Sequence, residues 1–229
     1  MTDFVFPPPE VTSLAVAGSD LRFPIHHVYC VGRNYAAHAR EMGKDPDREP
    51  PFFFSKPADA VVPGGGAVPY PPATADLHHE IELVVALGEG GRDIPEGRAL
   101  DHVYGYAVGI DLTRRDLQGE AKKLGRPWDT GKGFEASAPC TPVHPVAETG
   151  HPERGRIWLE VGGGLRQEGD LAEMIWTVPE MISLLSGLFL LKPGDLIFTG
   201  TPAGVAALQR GDRVTGGVEG LDQIEVAIA

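Results

Sequence analysis

Apolar positions recur along this chain mostly in short runs. VYCVG (28–32), the stretch 79–87 containing EIELVVAL, VYGYAVGID (103–111), IWLEV (157–161), LIFTG (196–200) and QIEVAI (223–228) are rich in β-branched and aromatic residues. Gly, Pro or polar clusters bound each of them, so each is predicted to be a strand. Helical signals occur in only three places. NYAAHAREMG (34–43) carries Asn34 as an N-cap, alanines inside and Gly43 as the stop. A second helix is predicted from a Thr113 cap to Leu124, ended by Gly125 and Pro127. TVPE (177–180) is a capping box opening an apolar helix to about Leu191. Residues 45–51, 57–76 and 129–140 read as loops. Residues 1–24 read as a Pro-rich arm with one short strand or hairpin, ahead of a single domain over 25–229. Many short strands with three helices predict an α+β, mostly β fold, built on a coiled sheet of roll or barrel type.

One strand breaks its apolar pattern twice, at Glu80 and Glu82. Side chains alternate along a strand, so these carboxylates face the same way, with Cα atoms about 7 Å apart. They repel, and burial would worsen the repulsion. A solvated strand face would relieve it; so would a shared proton, a basic partner or a metal. Asp111 closes another apolar strand, either as a helix-capping residue before LTRRD or as a third carboxylate. Three oxygen donors of this kind suit Mg²⁺ or Mn²⁺ better than zinc, and leave octahedral positions for water or substrate.

Composition narrows the partners. The 229 residues carry a net charge of −12 and no basic stretch, so no nucleic-acid surface is expected. The longest apolar run, near Met181 to Leu191, is too short to span a membrane. The N-terminus shows neither the basic nor the apolar region of a signal peptide. Cys30 and Cys140 form no disulfide framework or ligand spacing, which fits a reducing cytoplasm. GRPWDTGK (125–132) misses the phosphate-loop pattern: five residues separate its glycines, and Gly follows Lys132. No G-x-S-x-G elbow, dinucleotide glycine pattern or H-E-x-x-H occurs.

The ordered stretches CVGRNYAAHAREMG, FFFSKPADAVV, LHHEIELVV, GIDLTRRDLQ, KKLGRPWDTGKGFEASAP, GGLRQEGDLAEMIW and LIFTGTPAGV resemble the fumarylacetoacetate hydrolase family. The resemblance covers nearly the whole chain from about Tyr29. It looks closest to acylpyruvases, including fumarylpyruvate hydrolases and related oxaloacetate decarboxylases. It implies that Glu80, Glu82 and Asp111 hold Mg²⁺ or Mn²⁺, and that Lys132 reaches the bound substrate. Arg115, Gln118 and Thr201 would contact that substrate, with Arg33 lining the pocket beside a lid. Taken singly, Lys132 could be a solvated loop lysine, Arg115 and Gln118 one exposed helical face, and Thr201 a turn residue. Where the family often has Lys-Ser-Phe, this chain has Lys132-Gly133-Phe134. His78 and His79 are not assigned as ligands.

His38 and Glu41 lie three apart on the first predicted helix, where a carboxylate can orient an imidazole and raise its basicity. Spacing alone is explained as well by an exposed amphipathic face. The resemblance implies the sharper role, a water-activating pair on a mobile lid. The expected substrate is a small 2-oxo acid, an acylpyruvate cleaved at a C–C bond to pyruvate and a carboxylic acid. Oxaloacetate decarboxylation and isomerase or hydratase work on oxo-dienoates are the alternatives. The resemblance also implies a homodimer.

Overall fold

The computed structural model describes residues 3–36 and 50–229. Two sheets account for most of it. The larger runs in the order Phe53–Lys56, His27–Val31, Asp195–Phe198, Ile81–Leu87, Val103–Ile110, Ala138–Cys140, Val61–Pro63. Its neighbours are antiparallel except for His27–Val31 with Asp195–Phe198 and Ala138–Cys140 with Val61–Pro63. The second sheet orders Gly164–Asp170, Arg156–Val161, Arg213–Val218, Ile224–Ile228 and Gly66–Val68. Strands dominate and helices are short, in line with the expected α+β class.

The central strand Ile81–Leu87 is buried on both faces, and the period of two divides its side chains between two cores. Ile81, Leu83, Val85 and Leu87 pack toward the second sheet and the apolar helix Val178–Leu188. Val84 and Ala86 face the other way, onto Cys30, Ala107, Cys140 and Phe198. The sheet curls over this face, where Phe198 packs against small residues. At Gly109 a Cβ would come within 2.6 Å of Phe198 and 2.7 Å of Val84, so glycine lets the curl close. The N-terminal hairpin, Ser13–Ala15 with Arg22–Pro24, caps this core with Leu14 and Phe23.

Several predicted boundaries move. The helix expected from Thr113 begins at Arg115, because Thr113–Arg114 pairs with Leu77–His78, which in turn pairs with Ala207–Leu208. The apolar helix ends at Leu188, and its capping box between Thr177 and Glu180 forms as predicted. Two of the three expected loops, 57–76 and 129–140, contain structure. Val61–Pro63, Gly66–Val68 and Ala138–Cys140 are short strands, and Asp129–Lys132 is one helical turn. The helix expected at 34–43 falls mostly outside the described residues.

Candidate metal centre and its cavity

Glu80 directly precedes the strand Ile81–Leu87 and Glu82 lies within it. Asp111 directly follows the partner strand Val103–Ile110. The register sets Ile81 against Ile110 and Glu82 against Gly109, and the Asp111 amide donates to the Glu80 carbonyl at 2.8 Å. The three carboxylates therefore converge: each offers an oxygen within 4.8 Å of the others, and all three residues are buried. The exposed strand face and the solvent-facing helix cap are thus excluded.

Among the described residues, three cations ring the cluster. Lys132 Nζ donates to Glu80 Oε2 at 2.7 Å, Asp111 Oδ2 at 2.6 Å and the Thr113 hydroxyl at 2.7 Å, which uses all three ammonium protons. Lys56, also fully buried, sits 2.8 Å from Asp111 Oδ1 and donates to the carbonyls of Leu112 and Lys132. The Arg115 guanidinium pairs with Glu80 Oε1 and donates to Gln118 Oε1 at 2.6 Å. Burial works against the Lys132 charge, but Asp111 and Glu80 outweigh it and raise the ammonium above the ordinary lysine value. Local packing fixes Lys132: the turn Asp129–Lys132 lies so close to the helix Arg115–Leu124 that a Cβ on Gly131 would be 2.9 Å from the Gln118 backbone.

Glu82 is the least compensated member. Its Oε2 accepts the Gly200 amide at 2.7 Å. Burial, then the charges of Asp111 and Glu80, push its carboxyl well above the usual range, against the pull of Lys132 and that amide. Gly200 holds φ +96°, and a Cβ there would lie 2.7 Å from the Asn34 Cβ, so only glycine presents its amide here. A buried, oxygen-only cluster with one high-energy carboxyl fits a hard divalent cation.

Arg115, Gln118, Lys132 and Arg33 all line one cavity of about 370 Å³ that Glu80 also borders. Arg33 lies with its guanidinium 5.3 Å from the Phe52 ring. Thr201 is buried beside Gly200, its hydroxyl accepting from Gln167 Nε2 at 2.8 Å. His38 and Glu41 lie outside the described residues. A larger cavity, about 600 Å³, lies between Tyr106–His151 and the segment Asp170–Met174. It contains none of these groups, so chemistry rather than size marks the site.

Three buried polar residues join the site without having been singled out as members. Lys56 is one. Asn34, expected only to cap a helix, bridges the Trp176 carbonyl at 2.9 Å, the Thr199 carbonyl at 2.8 Å and the Trp176 amide at 2.6 Å. Gln167 spends both amide protons on Thr201 and on the Pro202 carbonyl at 2.9 Å. Its oxygen accepts from His79 Nδ1 at 2.8 Å and from the Ile81 amide at 3.1 Å. Gln167 thus ties the strand bearing Glu82 to the GTPAG loop. Thr201 itself is not among the residues that line the cavity, and the bond to Gln167 makes His79 a framework residue.

Residues 27–229 match the family model described as fumarylacetoacetate (FAA) hydrolase, C-terminal. A fumarylpyruvate hydrolase from Ralstonia is 44% identical over 189 residues, 82% of this chain and 98% of that protein. The human mitochondrial oxaloacetate tautomerase FAHD1 is 44% identical over 195 residues, 85% of this chain and 88% of that one. The crystal structure of fumarylpyruvate hydrolase from Pseudomonas aeruginosa, in complex with Mn²⁺ and pyruvate, superposes with a TM-score of 0.97 at 53% identity, covering 99% of both chains.

Proposed function

Since the chain belongs to the fumarylacetoacetate hydrolase family, we propose that it is a Mg²⁺- or Mn²⁺-dependent hydrolase of acylpyruvates. It would cleave the C3–C4 bond of a 2,4-dioxo acid such as fumarylpyruvate to give pyruvate and a carboxylic acid. The observation that carries this reading is the buried cluster of Glu80, Glu82 and Asp111, braced by Lys132, Lys56 and Arg115 beside a cavity. The Mn²⁺ and pyruvate held by the Pseudomonas relative support it.

Without a cation, Lys132, Lys56 and Arg115 face three carboxyl groups, of which Glu82 holds its proton more tightly than an ordinary carboxyl. A dication held by Glu80, Glu82 and Asp111 would turn the centre net positive and supply Lewis acidity that lowers the energy of a pyruvate enolate. Arg115 and Gln118, already bonded to each other, present donors for the substrate carboxylate. His38, oriented by Glu41, takes the proton of a water whose oxygen bonds to C4. The C3–C4 bond then breaks, its electron pair passes to C3 as the pyruvate enolate, and C3 is protonated. Any bond from Lys132 to the oxyanion at C4 must replace one of its three present bonds, of which Thr113 is the uncharged partner.

Relatives named oxaloacetate tautomerase support a second reading, enolisation or decarboxylation of oxaloacetate. That chemistry needs the same stabilised enolate but no activated water. Metal-loaded protein given fumarylpyruvate, acetylpyruvate and oxaloacetate in separate assays, with pyruvate and tautomer ratios followed, separates the two. Rapid pyruvate release from a 2,4-dioxo acid supports the hydrolase. Acceleration of oxaloacetate enolisation alone would replace it. The proposal includes a homodimer working in a reducing cytoplasm. Leu188, Phe189 and Leu190 offer an exposed apolar face to a second copy, and both cysteines are buried free thiols. Among the described residues, no helix is long and apolar enough to cross a membrane.

A further inference from the structure

Among the described residues, six charged side chains line the cavity: Arg33, Glu80, Arg115, Lys122, Arg126 and Lys132. Five are basic, in a chain of net charge −12. The two deepest basic groups already have carboxylate partners, Lys132 in Glu80 and Asp111, and Arg115 in Glu80. Lys122 differs. Among the described residues it makes no hydrogen bond or ion pair, and its ammonium stands 4.8 Å from the centroid of the Trp128 ring. Among the described residues, the ion-pair partner of Arg126, beside it, is an exposed Glu120 at 3.7 Å. Arg115, Gln118 and Lys122 follow one another at i, i+3 and i+7 on the helix Arg115–Leu124, so they share one face. The residue between the last two on that face is Ala121, whose small side chain leaves the space open. Trp128 lines the cavity beside Lys122, and Phe54, tilted 51° to it with its centroid 5.7 Å away, lies 4.9 Å from the Lys132 ammonium.

We propose that Lys122, with Arg126 beside it, is the subsite for a second carboxylate at the far end of the acyl group, so that the cavity selects dicarboxylic acylpyruvates over those with a plain alkyl acyl group. The inference rests on the acylpyruvate reading and adds to it the charge of the acyl tail. The 2-oxo acid end takes the Arg115 and Gln118 end of the helical face. The tail runs past Trp128 to the Lys122 ammonium one to two turns further on. Lys122 keeps solvent contact at the cavity mouth, yet partial burial, then the like charges of Arg115, Lys132 and Arg33, against the pull of Glu80, lower its ammonium to about 8. An arriving carboxylate relieves that repulsion. Lys123 provides the internal control. It carries the same charge in the same helical turn, so it interacts with the helix end equally, but it does not line the cavity.

The test compares wild type, Lys122→Met, Lys122→Arg and Lys123→Met on fumarylpyruvate and acetylpyruvate at saturating Mn²⁺. A hydrogen bond to a charged group contributes about 1.5–3 kcal/mol, so Lys122→Met should lower the fumarylpyruvate-to-acetylpyruvate ratio of kcat/KM by roughly tenfold or more, mainly through KM. Lys122→Arg should retain most of the ratio, and Lys123→Met should keep it within about twofold of wild type. An unchanged ratio in Lys122→Met, or an equal loss in Lys123→Met, overturns the subsite. If wild type hydrolyses neither substrate, the hydrolase reading fails separately. The subsite is then read by calorimetry on the Mn²⁺-loaded protein, with 2-oxoadipate against 2-oxobutyrate. A preference for the dicarboxylate that disappears in Lys122→Met supports it, and equal affinities in wild type refute it.

Discussion

Glutamine at position 82 should stabilise the metal-free protein and remove most of its response to metal. Glu82 is buried against Glu80 and Asp111 with the Gly200 amide as donor. Its carboxyl is held well above the usual range by burial first and then by those two charges. A carboxyl that binds its proton more tightly in the folded than in the unfolded state costs stability as pH rises above the unfolded value. The cost grows until the folded pKa is passed. Glutamine keeps the shape, still accepts from Gly200, and can donate to a neighbouring carboxylate. Relieving one poorly satisfied buried group is worth about 1–3 kcal/mol. For a chain of this size that raises the metal-free melting temperature by roughly 2–10 °C, more at pH 8 than at pH 6. Mn²⁺ at about a hundred times its Kd should stabilise wild type by about 2.7 kcal/mol, roughly 5–10 °C. Glu82→Gln should show less than about a third of that shift, because a charged ligand has gone. Thermal melts of chelator-stripped and Mn²⁺-loaded protein at both pH values read all four numbers. A metal-free variant that melts below wild type, with the Mn²⁺ shift intact, would make Glu82 a structural hydrogen-bonding residue and refute the reasoning.

The same raised carboxyl predicts proton release when metal binds below neutral pH, since the ligand must be ionised; calorimetry in buffers of different ionisation enthalpy should show it, and buffer-independent heats would contradict it. Lys132→Met should lower kcat by about a hundredfold or more if the ammonium steadies developing charge. It should also destabilise the metal-free protein by about 3–5 kcal/mol by unpairing buried carboxylates, with Mn²⁺ restoring much of the melting temperature; a rate within a few-fold of wild type would remove Lys132 from the chemistry. His38→Ala should nearly abolish pyruvate release from acylpyruvates while leaving the Mn²⁺-induced melting shift intact, and should change oxaloacetate turnover to a different degree. Undiminished hydrolysis in that variant would exclude the water-activating pair.

The carboxylate pair was legible because the period of two is a strong local rule: Glu80 and Glu82 had to share a direction, and Asp111 ended the neighbouring apolar run. Lys132, Arg115, Gln118 and Arg33, which line the cavity, stood out only through their motifs, as no spacing rule distinguishes them from surface residues; Thr201, singled out the same way, is buried outside that lining. Lys56 had no local signal. It follows FFFS at the end of a strand, and its partners Asp111, Leu112 and Lys132 lie far along the chain. Gln167 escaped for the same reason, sitting in the largely polar strand Gly164–Asp170, which itself lacks an apolar alternation. Arg213–Val218 gave no strand signal, since Gly216 and Gly217 interrupt its apolar pattern. At Gly216 a Cβ would come within 2.8 Å of Ile81, so that glycine serves sheet packing against the strand that carries Glu82. The helix start moved from Thr113 because pairing with Leu77–His78 outcompeted a local cap.

In the proposed reaction, the carboxylate cluster holds the ion on which C–C bond cleavage depends. The most direct test titrates Mn²⁺ into chelator-stripped protein at saturating fumarylpyruvate while pyruvate and fumarate are both quantified. Activity should rise from background in proportion to bound metal, level off near one ion per chain, and yield the two products in equal amounts. Full pyruvate release from the stripped protein, or none from the loaded one, would contradict it.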